Sequence, residues 1–175
     1  MDKEQIDISE LPLERLIEQA IATGVTIKQL KGITDNDMEG LYTLAHRDYQ
    51  AGQYDRAFKL FRVLSVLDQY NVKYVLGHAA VQRKLGNHDH AILLYSCAYL
   101  LDSNDVRVPY YAGVCHMEVG NYTEAESAFY LASGMIPEKA EHEKYVDQAA
   151  SLLALVQQKT AANANSVNNE KKAAS

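Results

Sequence analysis

The segment YQAGQYDRAFKLF, from Tyr49 to Phe61, carries the pattern that decides the fold. Its central glycine, Gly52, recurs at a constant interval as Gly86 and Gly120. Other positions of the segment recur with the same period, each in three copies. These columns are Ala57, Ala91 and Ala125; Phe61, Tyr95 and Phe129; Ala45, Ala79 and Gly113; Tyr54, His88 and Tyr122; and Leu64, Ala98 and Ala132. The chain therefore contains three copies of one structural unit.

A period of about 34 residues with this pattern is typical of the tetratricopeptide repeat, in which each unit is two antiparallel helices joined by a turn. The glycine ends the first helix, where a left-handed backbone conformation costs glycine least. We predict an all-α fold, a superhelical array of three such helix-turn-helix repeats over about 38–71, 72–105 and 106–139. Asn87 and Asn121 are expected to cap the second helices, with Glu124 completing a capping box.

The flanks of the repeats carry further helical signals. Leu13, Leu16, Ile17, Ala20 and Ile21 form a stripe at helical spacing. We therefore predict a flexible N-terminus over 1–10 and an N-terminal helical segment over 11–33. Thr34 or Asn36 then caps the first repeat of a tetratricopeptide domain over 34–156.

The C-terminal part is expected to close the array with one helix. Pro137 ends the third unit, and an apolar stripe follows it. A capping helix over 138–156 would cover the open end of the repeats, as terminal units require. The segment 157–175 is rich in Gln, Asn, Ala, Lys and Ser and has no aromatic residue, so we expect it to be disordered.

Composition excludes several classes of function. The formal net charge is -6, which argues against nucleic-acid binding and against binding to anionic membranes. Cys97 and Cys115 form no C-x-x-C pair, which fits a reducing cytosol. An apolar run long enough to span a membrane is missing, and the first residues lack the features of a signal peptide. We expect a cytoplasmic protein without stable membrane association.

The first helices of the repeats should line a concave surface that binds an extended peptide. Positions 2, 5, 9 and 12 of each unit lie on one helix face. They are Glu39, Tyr42, His46 and Tyr49; Lys73, Leu76, Ala80 and Arg83; and Arg107, Tyr110, Val114 and Met117. The aromatic and aliphatic members would hold apolar side chains, and the three basic members would hold carbonyls or acidic side chains. Alternatively, Leu76, Val114 and Met117 belong to the core and the tyrosines cover it.

Residues that would carry catalysis or a cofactor are not apparent. His88 and His90 are two apart on a helix and point to different faces, so we expect no metal site there. Cys115 and His116 are adjacent and do not face each other either. A glycine-rich phosphate loop is also missing. The sequence therefore predicts a protein without enzymatic activity and without a cofactor.

Several segments resemble the class II chaperones of bacterial type III secretion, known from the low-calcium-response H proteins. They are GVTIKQL from Gly24 to Leu30, LYTLA from Leu41 to Ala45, the segment from Tyr49 to Ala57, FRVLSVLD from Phe61 to Asp68, Leu76-Gly77, and GNYTEAE from Gly120 to Glu126. The resemblance covers residues 13–155, nearly all of the part expected to fold.

This resemblance implies a function and partners. Such chaperones hold hydrophobic, pore-forming translocator proteins in the bacterial cytosol before export, and grip an extended segment of Pro-x-Leu-x-Pro type in the concave groove. Tyr42 and Tyr49 match the family's aromatic groove positions, whereas His46 stands where phenylalanine is common. Family members also form homodimers, and here Leu13, Leu16, Ile17 and Ile21 would serve that contact or pack on the first repeat instead. A transcriptional regulator is a further possible partner.

Two other binding functions are built on the same repeat. A heat-shock co-chaperone would need a clamp of basic and amide residues, but the corresponding positions hold Tyr42, His46, Gly77, Arg107 and Tyr111, of which Arg107 alone fits. A co-chaperone for needle subunits, or another peptide-binding scaffold or regulatory adaptor built on the same repeat, is the remaining alternative. A comparison of binding to needle subunit and to translocator would separate these functions.

Overall fold

The computed structural model describes the backbone of residues 12–173 and the side chains of residue 12 and of 14–161. Within this range the regular elements are helical: α1 (Leu13–Thr23), α2 (Ile27–Leu30), α3 (Asp35–Gln50), α4 (Tyr54–Leu67), α5 (Val72–Lys84), α6 (His88–Leu101), α7 (Arg107–Glu118), α8 (Tyr122–Ser133), a 3₁₀ turn (Ala140–His142) and α9 (Glu143–Ala173). The predicted all-α class is confirmed. The predicted flexible segment 1–10 lies outside the described residues. In the described part of the chain, no helix combines the length and apolar character that crossing a bilayer requires.

The chain divides into two compact units whose boundary falls between Val81 and Gln82, inside α5. The first unit contains α1 to α4 and most of α5. The second contains the end of α5 together with α6 to α9. Helices α3 and α4 lie in the first repeat, α5 and α6 in the second, and α7 and α8 in the third, as the repeat period predicts.

The three glycines of the repeat end α3, α5 and α7 in the same way. Gly52, Gly86 and Gly120 have φ values of 73°, 79° and 82°, a region in which a side chain is strained. The residue after each glycine donates its backbone N–H to a carbonyl five residues earlier, which satisfies one of the helix's last acceptors. These bonds run from Gln53 to Asp48, from Asn87 to Gln82 and from Asn121 to His116, at 2.8, 2.9 and 2.8 Å.

This turn explains why the predicted asparagine caps are wrong. Asn87 and Asn121 have ψ values of 63° and 71°, and neither side chain caps its helix. The Nδ2 atom of Asn87 instead donates to Gln82 Oε1 at 2.9 Å. Thr34 has the extended ψ of 159° that a cap requires, and it forms a capping box with Asp37 at the start of α3. The short turn joins the paired helices so tightly that its residues cannot adopt the capping conformation.

In the first unit, the predicted N-terminal helix packs on its own chain. Leu16 and Ala20 of α1 form a buried cluster with Ile27 of α2, and Leu30 and Leu67 cover it. A second buried set joins α3, α4 and α5, with the ring of Phe61 directly against Gly77. The small residue at Gly77 thus allows the aromatic column of the first repeat to reach the next helix.

In the second unit, α9 packs chiefly on α8. Ala149 and Val156 of α9 join Val106 and Phe129 in one buried cluster. This helix therefore closes the third repeat, as the capping prediction requires. Its bounds differ from the prediction, because it begins at Glu143 after a 3₁₀ turn and continues to Ala173.

The C-terminal segment also differs from the expectation of disorder from Gln157 onward. Residues 157–173 contain no glycine or proline, and nine of these seventeen residues are alanine, lysine or glutamine, which favour helix, against four asparagines, which do not. The first turns of this extension also contact α8. Gln157 Nε2 donates to Glu126 Oε1 at 3.3 Å, and Lys159 Nζ lies 5.1 Å from the ring centre of Tyr122.

Candidate peptide-binding surface

Tyr42 is the centre of an aromatic group in the first unit. Its ring centroid lies 5.9 Å from that of Phe61, 6.0 Å from that of Tyr74 and 5.9 Å from that of His46, whose ring stacks on it. Lys73 Nζ lies 3.7 Å from the centre of the same ring, a cation–π geometry. Tyr42 is half-buried and His46 is exposed. We call this surface, made of Glu39, Tyr42, His46 and Lys73, the aromatic platform.

The charge on the aromatic platform is already balanced. Lys73 Nζ donates to Glu39 Oε2 at 2.9 Å and to Oε1 at 3.2 Å. These residues are one repeat period apart and occupy the second position of consecutive repeats. The side chains of Lys73 and Glu39 are 42% and 59% exposed, so the pair contributes about 1 kcal/mol at most. Because the two charges cancel, a bound peptide would contact the platform mainly through its aromatic rings.

The remaining predicted residues of the first unit are placed less favourably for contact. Tyr49 packs on Tyr54 of α4, with ring centroids 5.6 Å apart, and stays half-buried. Leu76 is only 9% exposed and belongs to the core, as the alternative interpretation held. Ala80 is half-buried. Tyr74 was not predicted from its position, although its ring contacts Tyr42.

In the second unit, the two predicted basic residues hold carboxylates of the same unit. Arg83 Nη1 donates to Glu118 Oε1 at 3.4 Å, and the guanidinium lies 5.4 Å from the ring centre of Tyr111. Arg107 Nε donates to Asp105 Oδ1 at 2.8 Å. Burial alone would raise the pKa of Asp105, but the hydrogen bonds and charge of Arg107 outweigh burial and lower that pKa. Contact with acidic side chains would require these pairs to exchange partners.

Tyr110 lies in a second aromatic group, formed with α9. Its ring centroid is 5.0 Å from that of Tyr111 and 5.2 Å from that of Tyr145. Burial raises the pKa of the Tyr110 hydroxyl. Val114 and Met117 are half-buried and pack against the core cluster around Phe129. These two residues therefore contribute mainly to the core.

A shallow pocket of about 370 Å³ adjoins Tyr110. The residues lining it are Tyr110, Asp147, Gln148, Ser151 and Leu152. Four of them come from α9 and were not predicted as binding residues. A signal for two of them was available, because Gln148 and Ser151 lie one repeat period after Val114 and Met117. Helix α9 thus continues the inward positions of the repeat.

The predicted dimerisation residues fall into two groups. Leu16 is only 3% exposed because it packs against α2, so its assignment to an open dimer surface is wrong. Ile17 and Ile21 are 39% and 76% exposed. The side chain of Leu13 lies outside the described residues. The internal contact and an open apolar face therefore coexist on α1, on neighbouring faces of the helix.

Helix pairs repeated at a constant interval, with aromatic side chains on their first helices, define a tetratricopeptide-repeat protein. In agreement, residues 38–71 match the family described as tetratricopeptide repeat. These are the bounds predicted for the first repeat.

The chain is similar to low calcium response locus protein H of Yersinia pestis, with 35% identity over 159 residues, covering 91% of this chain and 94% of that protein. It is similar in structure to the type III secretion translocator chaperone SycD of Yersinia enterocolitica, with a TM-score of 0.70 and 36% identity, covering 74% of this chain and 97% of that one. It is also similar to PcrH of Pseudomonas aeruginosa in complex with the chaperone binding region of PopD, with a TM-score of 0.71, 36% identity and coverage of 74% and 97%. The chain belongs to this family of class II type III secretion translocator chaperones.

Proposed function

We propose that this protein is a chaperone of the bacterial cytosol that binds hydrophobic translocator proteins before their export by a type III secretion system. Membership of the family supports the proposal. A further related structure is SycD in complex with a peptide of the translocator YopD, and PcrH is known with the chaperone binding regions of PopD and PopB. Free translocator segments are apolar and would aggregate, so a protein that covers them has a clear physical role.

The aromatic platform is the observation that supports placing the client segment on this part of the surface. His46 is exposed and stacks on the half-buried ring of Tyr42, and the cation of Lys73 over that ring is matched by Glu39. An extended client segment can therefore place apolar side chains on the rings and direct backbone groups to the rim. Tyrosine suits this role because it combines large apolar area with few rotatable bonds.

The energetics favour a client that is partly ordered before it binds. Burying one Leu or Val side chain contributes about 1.5–3 kcal/mol, while ordering a flexible segment opposes binding. A segment of Pro-x-Leu-x-Pro type loses less entropy, since proline already fixes part of the backbone. A few such contacts suffice for micromolar affinity, about -8 kcal/mol, which holds the client and still allows its release for export.

The test is a binding titration with a fluorescent translocator peptide of this type. The double variant Tyr42→Ala and Tyr49→Ala should weaken binding about tenfold or more, because it removes both aromatic contacts predicted for the client. The matched control is Tyr70→Ala, since Tyr70 is 53% exposed in the turn after α4. Circular dichroism should show the same helix content in both variants.

Unchanged affinity in the folded double variant would contradict the assignment to the aromatic platform. Equal or tighter binding of a needle subunit by the wild-type protein would instead favour the needle co-chaperone function. The same titration therefore separates the two classes of client.

We also propose that the exposed face of α1 forms a homodimer. Ile17 and Ile21 lie one turn apart and are open, whereas Leu16 on the neighbouring face is already covered. Ile17→Glu with Ile21→Glu should convert a dimer to a monomer in sedimentation experiments without loss of helix content. A wild-type protein that is monomeric at high concentration would exclude this contact.

A further inference from the structure

Three donor side chains of different chemistry meet where α6 begins beside the end of α7. His88 is the first residue of α6, and Cys115 and Glu118 lie in the last turns of α7. One ligand atom from each, a nitrogen, a sulfur and an oxygen, all lie within 4.8 Å of one another. His88 Nδ1 is 3.2 Å from Glu118 Oε2. The whole cluster lies in the second compact unit.

The repeat explains how these residues come together. Cys115 and Glu118 are three apart and share one face of α7. His88 replaces the tyrosine that the other repeats carry in its column, at Tyr54 and Tyr122. In the register of the repeat, the corresponding sets are Tyr54, Val81 and Lys84 before it, and Tyr122, Ala149 and Leu152 after it. Only one of the three equivalent junctions therefore carries a full set of metal-ligand side chains.

We propose that His88, Cys115 and Glu118 bind a zinc ion, with water as the fourth ligand. Imidazole, thiolate and carboxylate are the ligands that zinc takes in proteins, and three protein ligands with one water are typical of an open tetrahedral site. The site does not depend on the proposed chaperone function.

The spacing fits this coordination after small side-chain movements. Bonds of about 2.0–2.2 Å from zinc to nitrogen and oxygen place those atoms about 3.4 Å apart in a tetrahedron. The observed separation of 3.2 Å between His88 Nδ1 and Glu118 Oε2 is close to that value. Bonds of about 2.3 Å to sulfur place it about 3.6 Å from the other two ligand atoms, so the sulfur of Cys115 needs to approach them by about 1.2 Å at most. Within the described residues, the buried Nδ1 atom of His88 makes no hydrogen bond, and zinc would replace only its 3.2 Å contact with Glu118 Oε2.

Two features of the surroundings set the expected strength of the site. Arg83 donates to Glu118 Oε1, so its positive charge opposes a divalent cation and competes for the carboxylate. The Cys115 side chain is fully buried, and zinc must displace its thiol proton as it binds. We therefore expect micromolar affinity, weaker than that of a closed structural zinc site.

The experiment titrates the full chain with Co²⁺ under reducing conditions and then displaces it with Zn²⁺. Thiolate coordination gives a charge-transfer band in the near ultraviolet, which appears with Co²⁺ and vanishes when Zn²⁺ replaces it. Cys115→Ser should abolish the band, and Glu118→Gln should weaken binding about tenfold or more. Cys97→Ser and His90→Ala are matched controls, because both residues lie exposed on α6 outside the cluster, and both should leave binding unchanged.

The variant Arg83→Gln is expected to strengthen metal binding, whereas the ligand variants should weaken it. It removes the competing charge and should tighten Co²⁺ binding several-fold. If Cys115→Ser fails to fold, Glu118→Gln and Arg83→Gln still decide the question, since both residues are at least partly exposed. The proposal is overturned if the wild-type protein gives no charge-transfer band, if the band survives in folded Cys115→Ser, or if Cys97→Ser removes it. Unchanged or weaker binding in Arg83→Gln would likewise contradict it.

Discussion

At the scale of single residues, two glycines allow aromatic rings to come close to a helix backbone. A Cβ atom at Gly77 would lie 2.1 Å from Phe61 Cε1, and one at Gly113 would lie 2.8 Å from Phe129 Cδ1. Non-bonded carbon atoms do not approach each other this closely, so in an alanine variant the ring or the helix would have to move. Gly40 in α3 offers a comparison, because a Cβ atom there meets nothing within 4 Å.

Alanine substitutions at these three glycines should therefore have a definite order of stability. Gly77→Ala should lower the free energy of unfolding by about 1–3 kcal/mol through overpacking, and Gly113→Ala by less. Gly40→Ala should raise it by about 0.5–1 kcal/mol, because alanine favours helix over glycine. Urea denaturation measures all three. A Gly77→Ala protein as stable as Gly40→Ala would show that Phe61 does not pack on this helix.

The sequence was informative about residues where the repeat dictates the environment. The left-handed glycines and the buried columns at Ala57 and Phe61 follow from spacing alone. Ion pairs were harder, because they depend on which rotamers long side chains adopt. Glu39 and Lys73 do share one column of consecutive repeats, but Arg107 pairs with Asp105, two residues away and outside the repeat columns. The partners of the basic residues in the predicted groove were therefore missed.

At the scale of helices, the start of α3 is fixed by a reciprocal capping box, whereas α5 begins with a single side-chain bond, from the backbone N–H of Lys73 to Asn71 Oδ1. Thr34 Oγ1 accepts from the backbone N–H of Asp37 at 3.2 Å, and the Asp37 carboxylate accepts in return from the backbone N–H of Thr34 at 3.1 Å. The Thr34 hydrogen bonds lower the pKa of Asp37. Helices α6 and α8 begin directly after a glycine turn, so packing in the hairpin determines where they start.

Thr34→Ala should therefore destabilise the protein by about 1 kcal/mol, whereas Asn121→Ala should change little. Thermal unfolding followed by circular dichroism compares the two variants, each of which removes the side chain of the residue directly before a helix. An Asn121→Ala protein as unstable as Thr34→Ala would indicate that the asparagine caps its helix after all.

Helix boundaries and faces were predictable only where local signals were unambiguous. The apolar stripe predicted the existence of α1, but it did not indicate which residues of the stripe contact α2. Contact with Ile27 buries Leu16 and leaves Ile21 open, a choice that tertiary packing makes. The C-terminal end was missed for a related reason. Composition suggested disorder after Gln157, while helix propensity and contacts with α8 extend α9.

At the scale of the whole molecule, the chain has two kinds of apolar surface. Within each of the two compact units, small residues pack against buried aromatic rings. The rings of Tyr42 and His46, in contrast, stay accessible to solvent on the first unit. Net charge of -6 keeps such a protein soluble without directing it to an acidic client. A protein that keeps another chain's apolar segment from aggregating needs this combination of a stable scaffold and an open aromatic surface.

The client segment is expected to lie on the aromatic platform, and site-directed photo-crosslinking tests this placement most directly. A photoreactive phenylalanine analogue replaces His46, which is exposed beside Tyr42, and in a second protein it replaces Tyr130, which is exposed on α8. After irradiation with a translocator peptide, we predict a covalent adduct from position 46 and none from position 130. Adducts from position 130 alone, or equal adducts from both positions, would contradict the account.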